Sequence, residues 1–295
     1  MVTFIYHLFL FKNMGNGFNI RFEDYNQIHS NSDEDWIAFM KTLNPKKEET
    51  ILDAAGGYGD VSRHILDLCK PTIYVIDNSQ EQLDRLREKH LIPNEFIKFG
   101  DIRKIDFPDN FFDSVILKMG VHEVPKEDQI KIFNEIFRIL KPKGKFVTWE
   151  LALSDDNQEF FQKTIRKKDE LSGFQSMKEN RYFPKHSETI QNFKSSGFKK
   201  IKDTYTKYYH PDPKLRFHEL VSKERAKLIK KKGNLSKEDQ KKLDELSVQR
   251  IQELSNYIKS ILTEKIKKAV HFKETESGID FVIEKKIYVG YKILG

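Results

Sequence analysis

The chain has 295 residues, of which 38% are hydrophobic and 12% aromatic, enough to form a sizeable core and to exclude a disordered chain. A single cysteine, Cys69, excludes an intramolecular disulfide scaffold and indicates a reducing compartment, and no apolar run approaches the ~20 residues of a membrane-spanning helix. The formal net charge of +7 belongs to residues 211–270, which hold 16 Lys and Arg against 9 Asp and Glu.

Residues 2–11 are mostly apolar, but they do not match a secretory signal. Such a signal has a cationic region before the apolar run and a small-residue cleavage site after it, whereas here Lys12 follows the run. Three interpretations stay open: a packed N-terminal segment, a translation start at Met14, or a surface anchor that gives weak membrane association. The sequence as a whole predicts a cytoplasmic protein without a transmembrane segment.

The first predicted element is a helix over residues 32–43, with Ser32 as its N-cap and acidic residues in its first turn. Strands and helices then alternate. The predicted helices span 58–69, 79–91 and 126–140, and the predicted strands span 50–54, 72–76, 95–99, 113–118 and 145–151. This alternation favours a parallel sheet covered by helices on both faces.

The regular alternation weakens after residue 155. Helices are predicted over 155–171 and 186–196, a strand over 198–209, and a final strand over 279–294 with Gly290 as a bulge. Residues 211–270 have the pattern of two or three helices. The predicted organisation is an N-terminal segment and lid helix (1–45), one main domain (46–210 and 271–295) and a basic helical insertion (211–270).

Glycine or acidic residues follow each of the first three predicted strands. Asp53-x-Ala55-x-Gly57-x-Gly59-Asp60 joins a strand to a helix, a turn in which the backbone can approach an anionic ligand closely. Asp77 ends the second strand and Gly100-Asp101 ends the third. The carboxyl ends of parallel strands are where open α/β sheets bind ligands, and an acid after the second strand can accept from ribose hydroxyls.

These motifs resemble those of the class I S-adenosylmethionine-dependent methyltransferases, and the first is most similar to the ubiquinone/menaquinone biosynthesis branch. The resemblance covers residues 49 to about 150 and implies a Rossmann-like, doubly wound, mostly parallel seven-stranded sheet with S-adenosylmethionine as cofactor. Ala55, Tyr58 and Lys143 depart from the commoner family residues. The implied cofactor-binding residues are Tyr25, Asp53, Ala55, Gly57, Gly59, Asp77, Asn78, Asp101, Ile102, Lys118 and Met119.

A nicotinamide dinucleotide is the rival cofactor, because Gly57-x-Gly59-x-x-Ser62 nearly matches the dinucleotide fingerprint. Ser62 stands where that fingerprint has its third glycine, and the later motifs have no place in it. The sequence shows no metal-ligand spacing of His, Cys and carboxylates.

Two groups of residues are candidates for catalysis or substrate contact. His122 follows the fourth strand and can act as a general base, or it can simply shape the pocket. Glu123 can orient His122, bind a cationic substrate or cap the next helix. Arg181 and Tyr182 precede a helix in the region where family members often carry substrate-contacting insertions.

The resulting hypothesis is a methyltransferase that acts on a small molecule at an oxygen, nitrogen or carbon atom. The basic segment 211–270 is then a cap over the substrate site or a homodimer contact. The alternatives are an RNA methyltransferase that uses these lysines on phosphates, or a protein that binds S-adenosylmethionine without methylating. Lysines outnumber arginines in the segment and few aromatic residues accompany them, which disfavours nucleic acid.

Overall fold

The computed structural model describes residues 31–210, 213, 218–275 and 278–293. Helix α1, Asp33–Leu43, begins with a capping box in which the Ser32 hydroxyl accepts from the Asp35 amide and the Asp35 carboxylate accepts from the Ser32 amide. Its buried face carries Trp36, Phe39, Met40 and Leu43. The helix predicted over 32–43 is therefore confirmed.

Seven strands form the main sheet, in the order β3-β2-β1-β4-β5-β9-β6. The four pairings from β3 to β5 are parallel, and β9 runs antiparallel to β5. The predicted Rossmann-like, mostly parallel seven-stranded sheet is confirmed. The strands are β1 Thr50–Ala54, β2 Thr72–Asp77, β3 Ile97–Phe99, β4 Phe112–Lys118, β5 Leu140–Leu151, β6 Lys199–Tyr209 and β9 Ile283–Tyr291.

Helices cover both faces of this sheet, namely α1, α2 Asp60–Leu68, α3 Gln80–Glu88, α4 Lys126–Ile139 and α7 His186–Ser195. Alternate residues of β4 enter different apolar clusters. Val115 and Leu117 pack with the helix α4 residues, whereas Ile116 packs with the cluster of α1, α2 and α3. Burial on both sides explains why the strands read as continuous apolar runs.

Two details of the sheet differ from the sequence prediction. Strand β5 begins at Leu140 rather than 145, with a register irregularity against β4 between Phe112 and Ser114. The bulge predicted at Gly290 is wrong, because Gly290 pairs in register with Phe146. Glycine is needed there for space, since a Cβ atom would lie 2.7 Å from Cδ1 of Phe193.

The chain divides into two compact units. The described part of the first lies within 31–154, 181–208 and 284–293 and contains the sheet and its helices. The described part of the second lies within 155–180 and 209–283, so the helical segment 155–180 groups with it. Its described elements are α5 Gln158–Leu171, α6 Gln175–Asn180, α8 Ser222–Lys232, α9 Lys237–Ser260, α10 Glu264–Ala269, β7 Lys273–Thr275 and β8 Gly278–Asp280.

The helical character predicted for 211–270 is confirmed, with three α-helices in its described part. Many of the basic side chains there form ion pairs within the same unit. Examples are Lys232 with Asp239, Arg250 with Glu224 and Lys242 with Glu238. Ion pairs of this kind are common on solvated helix surfaces.

Candidate functional site

The turn between β1 and α2 leaves open space at its centre. Gly57 has φ +53°, and a Cβ atom at this position would meet no atom of the described residues within 4 Å. Gly59 has φ +81° and a Cβ atom there would lie 2.5 Å from Cδ1 of Leu86. Ala55 also adopts positive φ, at 53°. The turn therefore combines an open surface at Gly57 with tight packing at Gly59.

Asp53, at the end of β1, is fully buried, and one of its two carboxylate oxygens accepts hydrogen bonds. Its Oδ2 accepts from the amide of Ser62 at 3.2 Å and from the Ser62 hydroxyl at 2.6 Å. Among the described residues, its Oδ1 has no hydrogen-bond partner. Burial raises the pKa of Asp53 to about 7, although the Ser62 hydrogen bonds act in the opposite direction.

Asp77, at the end of β2, lies against the same turn. One oxygen accepts from the Gly57 amide at 2.9 Å and the other from the Ser79 amide at 2.8 Å. Burial raises the pKa of Asp77, and the Glu123 carboxylate adds to that effect. The structure thus brings the predicted residues Asp53, Gly57 and Asp77 together. Asn78, which follows directly, is exposed.

Asp101, after β3, is engaged by an arginine that the sequence analysis did not single out. The Arg103 guanidinium donates to both oxygens of Asp101, at 2.6 and 3.0 Å, and also to Asp128 at 2.6 Å. These hydrogen bonds lower the pKa of Asp101 and keep it ionised. Ile102, one of the implied cofactor-binding residues, is buried in the apolar cluster of α4.

The end of β4 approaches the β1–α2 turn closely. A Cβ atom on Gly120 would lie 3.2 Å from that of Ala55 and 2.6 Å from Cδ1 of Leu117. Met119 has φ +56°, and its amide donates to the Trp149 carbonyl at 2.8 Å. Lys118 lies partly buried at the same point. The predicted residues 118 and 119 therefore border the turn.

His122 lies between two carboxylates. Its Nδ1 is 2.8 Å from Oε1 of Glu150, and its Nε2 is 3.3 Å from Oε1 of Glu123. Arg181 donates from Nε to Glu123 at 2.8 Å and pairs with its other oxygen through Nη2. Sequence reasoning missed Glu150, whose signal is an acid within the apolar strand segment 146–151.

Glu150 also binds the backbone of the turn that carries His122. This fully buried carboxylate accepts from the amides of Val121 at 3.1 Å, His122 at 3.4 Å and Leu151 at 2.9 Å. Glu150 therefore holds both the side chain and the main chain of His122.

Burial disfavours the charged imidazolium of His122, but the Glu150 and Glu123 carboxylates outweigh it and raise the pKa of His122 to about 9. The Glu123 carboxyl, in turn, has its pKa held well below the usual range by Arg181 and His122, which outweigh its burial. At neutral pH His122 thus carries both ring protons. A general base needs a free ring nitrogen, so the predicted base role requires His122 first to lose a proton.

This arrangement makes stability depend on pH. A histidine whose folded pKa is raised stabilises fully below its unfolded pKa near 6.5, and the contribution is lost as pH rises through about 9. The wild type is expected to be more stable than His122→Gln, and we expect this stability difference to be larger at pH 6 than at pH 10 by roughly 3 kcal/mol. Urea unfolding at both values measures this; parallel pH dependence of the two proteins would contradict it.

The segment around Tyr182 forms a wall beside His122. The Tyr182 amide donates to the His122 carbonyl at 3.2 Å, and Nε2 of Gln129 donates to the Tyr182 carbonyl at 2.7 Å. The Phe183 ring stacks on the His122 ring at 4.8 Å with an interplanar angle of 17°. The predicted pair Arg181 and Tyr182 is therefore brought next to His122 and Glu123.

The residues of the turn fit the methionine and ribose parts of S-adenosylmethionine. The unpartnered Oδ1 of buried Asp53 can accept from the ligand ammonium, Gly57 leaves room for a ligand backbone, and Asp77 can accept from ribose hydroxyls. Tyr25, the predicted lid residue, lies outside the described residues, as do residues 2–11 and Met14.

Two properties of the described residues bear on partners. No helix among residues 31–210 and 218–293 is long and apolar enough to cross a membrane. The same described part of the chain holds no group of three or more His, Cys, Asp or Glu side chains arranged to bind a metal ion.

The sequence matches known methyltransferases. A profile of the family described as "Methyltransferase domain" matches residues 51–144. This range includes the strand-end residues between Asp53 and Met119 described above, which we call the cradle. The ubiquinone/menaquinone biosynthesis C-methyltransferase of Pseudomonas aeruginosa is 32% identical over 129 residues, which are 41% of this chain and 50% of that protein. The chain thus spans about half the length of the curated relatives it matches.

Solved structures share the fold. The YcgJ protein from Bacillus subtilis aligns with a TM-score of 0.65 and 17% identity, covering 88% of this chain and 98% of that chain. Phosphoethanolamine N-methyltransferase 2 of Haemonchus contortus, in complex with S-adenosyl-L-methionine, aligns with a TM-score of 0.54 and 19% identity over 97% of this chain and 59% of that one. Residues 51–144 thus match a methyltransferase domain, and the chain shares its fold with solved structures that include a methyltransferase.

Proposed function

We propose that this protein transfers a methyl group from S-adenosylmethionine to a small-molecule acceptor, at an oxygen, nitrogen or carbon atom. The observation that carries the proposal is the buried Asp53 carboxylate with an unpartnered oxygen beside the open surface of Gly57. An unsatisfied buried acceptor is costly unless a ligand completes it. The cradle therefore has the properties of a binding site rather than of a structural turn.

The chain's own residues would mainly bind and orient. Asp53 and the Gly57 surface would hold the amino-acid part of the cofactor, Asp77 the ribose hydroxyls, and Asp101 with Ile102 the adenine. When bound, S-adenosylmethionine supplies an already activated methyl group, because a sulfonium sulfur is a good leaving group. The remaining task is to align the acceptor and exclude water.

We assign the acceptor to the region of His122, Glu123, Arg181 and Tyr182. The His122 side chain is 5% exposed and the Glu123 side chain 37% exposed, so Glu123 is the group with access to an acceptor. His122 and Arg181 would hold Glu123 ionised and fixed. Glu123 would then orient the acceptor's proton-bearing or cationic group, and His122 would serve as a base only after losing a proton.

Small-molecule acceptors are supported by the relatives, whose names refer to quinone biosynthesis and to phosphoethanolamine. An RNA acceptor is less supported, because many lysines and arginines of α8, α9 and α10 are paired with acids. The segment 211–270 remains, as part of the proposal, a cap or a homodimer contact.

The test removes the proposed ribose contact. Asp77→Ala is expected to weaken S-adenosylhomocysteine binding by about 1–3 kcal/mol, because the ribose hydroxyls lose a charged acceptor. Isothermal calorimetry on the full chain measures the affinity. Incubation with S-adenosylmethionine and a panel of phenols, quinols and amines, followed by detection of S-adenosylhomocysteine, identifies the acceptor class.

A matched control is Asp67→Ala, since the Asp67 carboxylate is 65% exposed and pairs only with Arg63 among the described ion pairs. It should bind as the wild type does. Unchanged affinity in Asp77→Ala would reject the ribose role. A wild-type chain that binds no S-adenosylhomocysteine would reject the proposed function altogether.

A further inference from the structure

Helix α8 carries three lysines side by side on one of its faces. Lys227, Lys230 and Lys231 have the i, i+3, i+4 spacing that places residues on the same side of an α-helix, and all three are exposed. Among the residues that the structure describes, no carboxylate forms an ion pair with any of them. These three residues, which we call the lysine triplet, are therefore an unneutralised patch of positive charge on the described surface.

Other lysines of the same compact unit are neutralised by acids. Lys232, directly after the triplet, pairs with Asp239 at 2.7 Å. Lys242 of α9 pairs with Glu238, one helical turn away. An ordinary solvated surface mixes both signs of charge in this way, whereas the triplet concentrates one sign. The contrast indicates a surface suited to an anionic partner.

Two classes of anionic macromolecule could neutralise such a patch. A single-stranded nucleic acid is normally held also by aromatic side chains on which its bases stack, and α8 contains no aromatic residue. An anionic membrane surface requires only basic side chains, because its negative surface potential attracts them within about one Debye length. The composition of α8 therefore favours a membrane surface.

The sequence contains a second feature that fits a membrane surface. Residues 2–11 are mostly apolar, and they lie outside the described residues. Basic residues combined with an apolar segment bind a membrane more firmly than either does alone, since the charges are attracted to the headgroups and the apolar side chains enter the boundary with the acyl chains. A run of this length is too short to span a bilayer, so it is suited to contact with the surface.

We propose that the lysine triplet docks the protein on the anionic surface of a phospholipid membrane, with residues 2–11 as the apolar contact. The inference goes beyond the proposed function and does not depend on it, because none of these residues belongs to the cradle or to the acceptor region. Each lysine near an anionic surface strengthens binding by about fivefold, so the triplet contributes on the order of 100-fold. Salt weakens this contribution by screening the charges.

Sedimentation of the full chain with two kinds of vesicle tests the proposal. One kind contains phosphatidylcholine and phosphatidylglycerol in equal parts, and the other contains phosphatidylcholine alone. The wild type is expected to bind the anionic vesicles on the order of 100-fold more tightly than the neutral ones. Replacing Lys227, Lys230 and Lys231 together with glutamine is expected to reduce this preference to about fivefold or less. Deletion of residues 2–11 is expected to weaken binding to both kinds of vesicle.

The matched control replaces three paired lysines of α9, Lys241, Lys242 and Lys259, with glutamine, so that the net charge changes by the same amount. It should keep most of the wild-type preference. A control that loses as much as the triplet variant overturns the inference, because net charge alone would then explain the binding. A wild type that binds neither vesicle, or that binds a single-stranded RNA oligonucleotide more tightly than the anionic vesicles, also overturns it. Calorimetry with S-adenosylhomocysteine tests the proposed function separately in the same variants.

Discussion

Replacing Glu150 with alanine is expected to lower the free energy of unfolding at pH 7 by about 3–5 kcal/mol, the cost of leaving a buried charge without its partner. The carboxylate is fully buried, and it accepts from the His122 ring and from three backbone amides. Its loss leaves Glu123 as the one described carboxylate beside the imidazolium of His122. Alanine also leaves those amides without an acceptor in a site closed to water.

Chemical unfolding in urea, followed by circular dichroism, gives the free energy. Glu159→Ala is the control, since the Glu159 side chain is 78% exposed and only its partner Lys163, one helical turn away, is affected. That variant should stay within about 0.5 kcal/mol of the wild type. A loss below about 1 kcal/mol in Glu150→Ala would mean that the His122–Glu150 pair is not the support that its geometry indicates.

Replacing Gly59 with valine is expected to cost about 2–5 kcal/mol of stability. Its φ of +81° disfavours every β-branched side chain, and a Cβ atom would lie 2.5 Å from Cδ1 of buried Leu86. Backbone strain at a positive φ therefore adds to steric overlap in the core between α2 and α3. Thermal and urea unfolding measure the loss.

Gly57→Ala in the same turn is the matched comparison. Its φ is also positive, but a Cβ atom meets nothing within 4 Å, so only a backbone cost of about 1–2 kcal/mol applies. S-adenosylhomocysteine binding should weaken in this variant, because the added methyl occupies the open surface of the cradle. Equal stability losses at the two glycines would contradict the packing difference between them.

Much of the fold is predictable because it follows local rules. Apolar runs such as 50–54 and 72–76 mark buried parallel strands, and Ser32 marks the start of α1 with its capping box. The cradle is predictable for the same reason: Asp53, Gly57 and Asp77 each follow directly on a strand, and parallel strands bring their carboxyl ends to one edge.

The contacts that hold the site residues in place cannot be predicted from the local sequence in that way. The contact between Glu150 and His122 depends on how β5 is registered against β4, and that of Arg181 with Glu123 on how a loop 58 residues later returns to the sheet. His122 looked like a base because its sequence neighbourhood shows one acid, Glu123. The second acid is distant in sequence, and the two together keep the ring protonated.

The strand order has a consequence for biosynthesis. Strand β9, the last described strand of the chain, lies between β5 and β6, so β6 has no neighbour in the sheet until residues 283–291 have been made. The nascent chain therefore carries two unpaired strand edges for the time needed to synthesise more than 70 residues (from Tyr209 to Ile283). Unpaired strand edges are prone to aggregation, so the growing chain is exposed to that risk until β9 is made.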